Sequence, residues 1–146
     1  MSKIILPKGY KPSEEEEYMN PNQLEYFKQK LEKWKKELIQ VSLETIDHLK
    51  DDHLKYPDLN YQASREAETT IELRTRSRYK KLIDKIEAAL KRIELKQYGY
   101  CEESGEKIGL KRLEARPIAT LCIESQERHE KFEKQHNDDS DADEFN

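Results

Sequence analysis

The sequence is short of the material that builds a large globular core. Only 34% of its 146 residues are hydrophobic and 40% are charged. That balance excludes a thick layered domain and suits long solvated helices with a narrow apolar seam. No run approaches the ~20 apolar residues of a membrane-spanning helix, and the N-terminus lacks the apolar core of a signal peptide. Cysteine is scarce, with two residues, which excludes a disulfide scaffold; without a targeting segment the expectation is a reducing cytoplasm. An excess of one charge is also missing. There are 27 basic and 31 acidic residues, and five of the acids fall in the last nine positions, so the body is close to neutral. Bulk charge therefore gives no case for direct nucleic-acid binding. Of only four glycines, Gly99, Gly105 and Gly109 share one stretch.

That stretch, Tyr98 to Ser125, also holds both cysteines. Each opens a knuckle: Cys101-Glu-Glu-Ser104 followed by Gly105, and Cys122-Ile-Glu-Ser125. The spacing is that of a four-cysteine zinc ribbon, with Ser104 and Ser125 standing where the second cysteine of each pair belongs. A closed structural zinc site needs four donors, and a serine hydroxyl stays protonated near neutral pH. Cys101 and Cys122 are the metal candidates. His129, one helical turn past Ser125, or Glu102, Glu103 and Glu124 could complete a set; the other reading is a metal-free knuckle held by packing and serine hydrogen bonds. As a redox thiol, Cys101 is followed by two glutamates, which should raise its pKa.

Upstream, the pattern is helical. Residues 1–19 read as an extended leader with an acidic run, Glu14 to Glu17. Asn20 can cap a helix, Pro21 suits its first position, and Gln23 can reach back as in a capping box. Leu24, Phe27, Leu31, Trp34, Leu38 and Val41 then recur at coiled-coil spacing, continued with shifted phase by Leu43, Ile46 and Leu49. Pro57 predicts a helix end near Lys55. A second helix is expected from Tyr61–Ser64 to about Gln97, with Ile71, Leu82, Ile83, Ile86, Leu90 and Ile93 as its seam and Gly99 as its stop. Residues 20–97 thus form an antiparallel hairpin with its tip at 56–63, roughly 50 Å long at 1.5 Å per residue. A ribbon-like segment, 98–125, follows. Then comes a C-terminal helix, 122–137, with a thin stripe of Leu121, Ile123 and Phe132. Residues 138–146 are too acidic to pack and are expected to be disordered. The fold class is mainly all-α.

Four segments resemble the DksA family of bacterial RNA polymerase-binding transcription factors. They are EEYMNPNQLEYFKQKLEKWKKEL (16–38), ELRTRSRYKKLIDKIE (72–87), YGYCEESG (98–105) and IGLKRLEARPIATLCI (108–123). The resemblance implies a hairpin that enters the polymerase secondary channel and a globular end, with the leader packed on it, that sits on the rim. The family's tip motif, DxxDxA, appears as Asp58-Leu59-Asn60-Tyr61-Gln62-Ala63. Asp58 and Ala63 match it, and Tyr61 replaces the second acid. By the same resemblance Arg78, within the basic run Arg74, Arg76, Arg78, Lys80 and Lys81, contacts polymerase. Lys85 and Arg116 bind the alarmone ppGpp, while a third basic position is Gln126 here, which implies weaker ppGpp dependence. No cofactor is required and zinc is optional. The expectation is a monomeric, non-enzymatic regulator of promoter open-complex stability and initiation, with RNA polymerase as partner, no direct sequence-specific DNA binding and no membrane.

Two other classes stay open. A coiled-coil adaptor would self-associate without binding polymerase. A metal or thiol-redox protein would carry stoichiometric metal or a thiol pKa well below ~8.5.

Overall fold

The computed structural model describes residues 4–52 and 59–144, apart from the side chains of 45, 46, 48–52, 59–61 and 138–144. Four helices occur in it: α1 (Pro21–Asp52), α2 (Leu59–Glu94), α3 (Leu110–Ala115) and α4 (Ile123–Glu144). Among the described residues the only β-pairing is a single antiparallel bridge between Tyr100 and Lys107. The protein is all-α, and its ribbon-like segment is a turn rather than a sheet. The chain divides into two compact units, one of Phe27–Glu94 and one of Met1–Tyr26 with Leu95–Asn146.

The first unit is the antiparallel coiled-coil hairpin. Its buried apolar residues are Phe27, Leu31 and Leu38 on α1 and Ile86, Ala89 and Ile93 on α2. Lys35 Nζ lies 3.1 Å from Glu87 Oε1, a partly exposed pair that links the two helices and contributes up to about 1 kcal/mol. Among the described residues the seam does not continue as the periodicity predicts; the side chains of Ile46 and Leu49 lie outside them. Val41, Leu43 and Ile71 are exposed, as are Ile39 and Leu73. Spacing fixes which face a residue occupies, but depth needs a facing side chain, and a narrow two-helix seam covers little. The second helix also begins earlier than expected and ends three residues sooner, at Glu94.

The ends of these helices show how local chemistry sets boundaries. Gln23 N donates to Asn20 Oδ1 at 2.9 Å, so Asn20 is the cap. Gln23 Oε1 accepts from Met19 N at 2.8 Å, one residue earlier than in a standard capping box, with Met19 at φ 55. At the end of α2, Gly99 is not the stop. Lys96, at φ 59, takes the left-handed conformation just past α2.

The second unit is built around Tyr98, Ile108, Leu113, Ile118, Ala119 and both cysteines, with Gln23 and Ser125 as buried polar residues. The Tyr98 hydroxyl donates to Pro117 O at 2.6 Å. Tyr18 donates to Gly99 O at 2.6 Å and accepts from Gly109 N at 3.0 Å, which ties the leader to the segment around the knuckle. Gly99, at φ +92, has no room for a Cβ unless Met19 moves, because that atom would lie 2.8 Å from Met19 Cγ. Tyr26 donates to Glu114 Oε1 of α3 at 2.7 Å, and Tyr10 packs edge-on against the Tyr26 ring.

α4 departs from expectation in two ways. It continues as helix to Glu144, where the sequence predicts disorder from 138. No proline or glycine follows Pro117, so nothing stops the helix, and each added residue costs little once a helix is nucleated. The expected apolar stripe is also not covered: Ile123 and Phe132 are exposed, with Phe132 stacked on His136.

Candidate functional site

The knuckle is the most completely built site. A tight turn brings Cys101 round to Gly105: Gly105 N donates to Cys101 O at 3.0 Å and Cys101 N to Glu106 O at 2.8 Å, with Gly105 at φ 72. Glu102 N donates to Thr120 O at 2.9 Å, which holds the first knuckle beside the strand of chain leading to the second. Arg112 Nε bonds Leu121 O at 2.9 Å and fixes that approach from α3. Cys122 then stands immediately before α4, and Ser125 lies in its first turn.

Both cysteines are free and buried. Ser125 Oγ lies 3.4 Å from Cys101 Sγ and 3.3 Å from Cys122 Sγ, and Ser104 Oγ lies 3.8 Å from Cys122 Sγ. All four knuckle positions therefore converge. Arg128, which the sequence pattern did not single out, donates from Nη2 to Ser125 Oγ at 3.2 Å. Its signal was its place one helical turn after Ser125.

The donor set does not suit zinc. Structural zinc sites take four thiolate or imidazole donors, and here two of the four are hydroxyls. His129 does not complete the set, since its Nε2 pairs with Glu103 Oε1. Among the described residues no group of three or more His, Cys, Asp or Glu side chains is arranged to hold a metal ion.

The electrostatics of Cys101 reverse the sequence expectation. Burial raises its thiol, but hydrogen bonds from the Ser104 and Ser125 hydroxyls and from the backbone N–H groups of Cys122 and Ser104 outweigh that and bring it down to about 5. Glu102 and Glu103, expected to raise it, are exposed, and Glu103 is itself held below the usual carboxylate range by its hydrogen bond to His129.

The other predicted site residues are more dispersed. Asp58 lies outside the described residues. Ala63 is exposed on the first turns of α2, where the backbone of Tyr61 is also helical. Arg78 is exposed, its guanidinium 5.9 Å from the Tyr79 ring centroid. Arg74, Arg76, Lys80 and Lys81 are exposed too, so the basic run is a solvated collar of α2. Lys85 is exposed on α2 of the hairpin unit, and Arg116 is exposed at the C-terminal end of α3 in the other unit. Gln126 is half-buried in α4, its Nε2 donating to Glu130 Oε1 at 3.1 Å.

Both units match known families. A family model described as the N-terminal domain of the DnaK suppressor protein DksA matches residues 23–93, and one described as the prokaryotic dksA/traR C4-type zinc finger matches residues 96–131. The chain is 56% identical over 136 residues to the RNA polymerase-binding transcription factor DksA of Caulobacter vibrioides, covering 93% of this chain and 96% of that one. It is 44% identical over 135 residues to the protein of the same name from Escherichia coli, covering 90% and 89%. Among solved structures, transcription factor DksA2 from Pseudomonas aeruginosa is similar at a TM-score of 0.75 and 42% identity, covering 80% of this chain and 90% of that one.

Proposed function

Because the chain belongs to the DksA family, we propose that it is a transcription regulator that acts by binding RNA polymerase. The single observation that carries this reading is 56% identity across 93% of the chain to a relative named as an RNA polymerase-binding transcription factor. The structure adds physical support. A two-helix hairpin with an exposed basic collar and several uncovered apolar side chains has more surface than its own core uses, as a partner-binding element does.

In the finer form of the proposal, the hairpin enters the secondary channel with Asp58 and Ala63 at the tip near the active centre. Arg78 meets an acidic surface of the rim. Lys85 and Arg116 each supply a cation for ppGpp, and Gln126 leaves that ligand one cation short, so the response to ppGpp is reduced. The factor alters the stability of the promoter open complex by favouring one state of its partner, which requires no catalytic group of its own. No direct sequence-specific DNA contact is needed, and one chain acts per polymerase.

One observation favours a second reading, a thiol-redox protein: the lowered Cys101 thiol. Against it, Cys101 is only 3% exposed, and a reactive thiolate needs access as well as a low pKa.

The test is the decay of a preformed open promoter complex with wild type and Asp58→Asn. Binding by both proteins, with decay altered only by wild type, is the expected result. Equal effects from both would remove Asp58 from the mechanism, and no effect from either would remove the mechanism itself.

A further inference from the structure

The family match at residues 96–131 carries the description C4-type zinc finger, yet the four converging side chains are two thiols and two hydroxyls. Their spacing is informative. Donors of a tetrahedral zinc site, each ~2.3 Å from the ion, sit roughly 3.8 Å from one another. The distances of 3.3, 3.4 and 3.8 Å found here have that scale. They are also the distances at which a thiol and a hydroxyl share a proton directly.

The buried Ser125 hydroxyl is fully partnered without an ion. A serine hydroxyl has one proton to donate and two lone pairs to accept with. Arg128 can only donate, so it takes one lone pair of Ser125 Oγ. One lone pair and one proton remain for the two sulfurs at 3.3 and 3.4 Å. Glu103 also hydrogen-bonds Ser125 and competes for that one proton, so the buried hydroxyl has no capacity left unpartnered.

The charge count points the same way. Four thiolates around a divalent zinc leave a net charge of −2, which a nearby guanidinium would stabilise. Two thiolates and two neutral hydroxyls around the ion leave zero, so such a site would gain no net attraction from the Arg128 guanidinium. Arg128 therefore stabilises the hydroxyl network and gives a cation in its place no electrostatic help.

We propose that this knuckle is metal-independent, with the Ser125 hydroxyl, bridging Cys101 and Cys122 and anchored by Arg128, doing the cross-linking that a zinc ion does in a four-cysteine finger. The fold of this unit would then be indifferent to zinc supply. The inference concerns the knuckle and does not depend on polymerase binding.

The test uses the full chain, purified from cells grown with added zinc. Elemental analysis after gel filtration is expected to find zinc far below one atom per chain, and the thermal midpoint followed by circular dichroism should be unmoved by EDTA or by equimolar zinc chloride. Near-stoichiometric zinc, with a midpoint lowered by EDTA, would overturn the proposal whatever the variants do. Ser125→Ala should lower the midpoint by roughly 5 °C without making EDTA matter. The double variant Ser104→Cys with Ser125→Cys should take up one zinc per chain and acquire an EDTA-sensitive midpoint. A folded double variant that binds no zinc would show that the four positions do not converge as a ligand set, and would also sink the account.

Discussion

The two units of this protein are stabilised in different ways. In Phe27–Glu94 the buried residues are apolar, regularly spaced and carried on two helices, and the cover thins where Val41, Leu43, Ile71 and Leu73 stand exposed. In the other unit a few polar keystones do the work: Tyr98 on Pro117 O, Tyr18 between Gly99 and Gly109, Gln23 at the helix start and Ser125 between two sulfurs. A seam spreads its stability over many interchangeable contacts, whereas a keystone concentrates it in one hydroxyl whose partners have no substitute. The first unit should therefore tolerate change outside its buried layers, and the second should respond to the loss of single atoms.

The largest expected effect tests the seam. Phe27→Ala removes a fully buried ring and should cost about 3–5 kcal/mol in chemical denaturation, whereas Ile71→Ala, at an exposed position of the same periodic pattern, should stay within about 0.5 kcal/mol. Equal losses would mean that the seam continues through both. Next is Gly99→Ala, which combines a strained φ of +92 with a Cβ pressed to 2.8 Å from Met19 Cγ. It should cost about 2–3 kcal/mol, and Met19→Ala in the same chain should relieve part of that by removing the clash but not the strain. Tyr98→Phe deletes one buried oxygen and leaves Pro117 O without that donor, for about 1–3 kcal/mol.

The smallest effect appears on the alkaline side. Burial, and then the hydrogen bond and charge of Glu114, push the Tyr26 phenol up to about 12 from an ordinary value of 10. A raised acid favours folding while it is protonated. Its contribution is thus fully present below pH 10 and is lost as the pH rises through 12. Tyr26→Phe should cost about 0.5–1 kcal/mol at neutral pH and flatten the fall in unfolding midpoint across that interval.

The same contrast decides what could be read from the sequence. The hairpin was legible because helical periodicity and capping are local: Asn20, Pro21 and Gln23 announce the start of α1, and Phe27, Leu31 and Leu38 its inner face. Which periodic residues are covered was not legible, since Val41 and Leu38 share the periodic pattern but differ in exposure. In the second unit the cysteines and their serine companions marked the knuckle. The partners of Tyr18, Tyr26 and Tyr98 lie 81, 88 and 19 residues away and leave no local pattern. Gly99 looked like a helix stop because glycine usually marks one there, while its actual constraint is the approach of Met19 from the other end of the chain. The Cys101 thiol was misjudged from its sequence neighbours, whose carboxylates are exposed, because the hydrogen bonds of Ser104 and Ser125 outweigh them.

The most direct test of the central claim is equilibrium binding of the full chain to purified RNA polymerase core, with Arg78→Ala alongside. Saturable binding at micromolar concentration or tighter, weakened about tenfold by Arg78→Ala through loss of one charge-assisted contact, is the predicted result. An absence of binding at tens of micromolar by a chain shown to be folded would contradict the account.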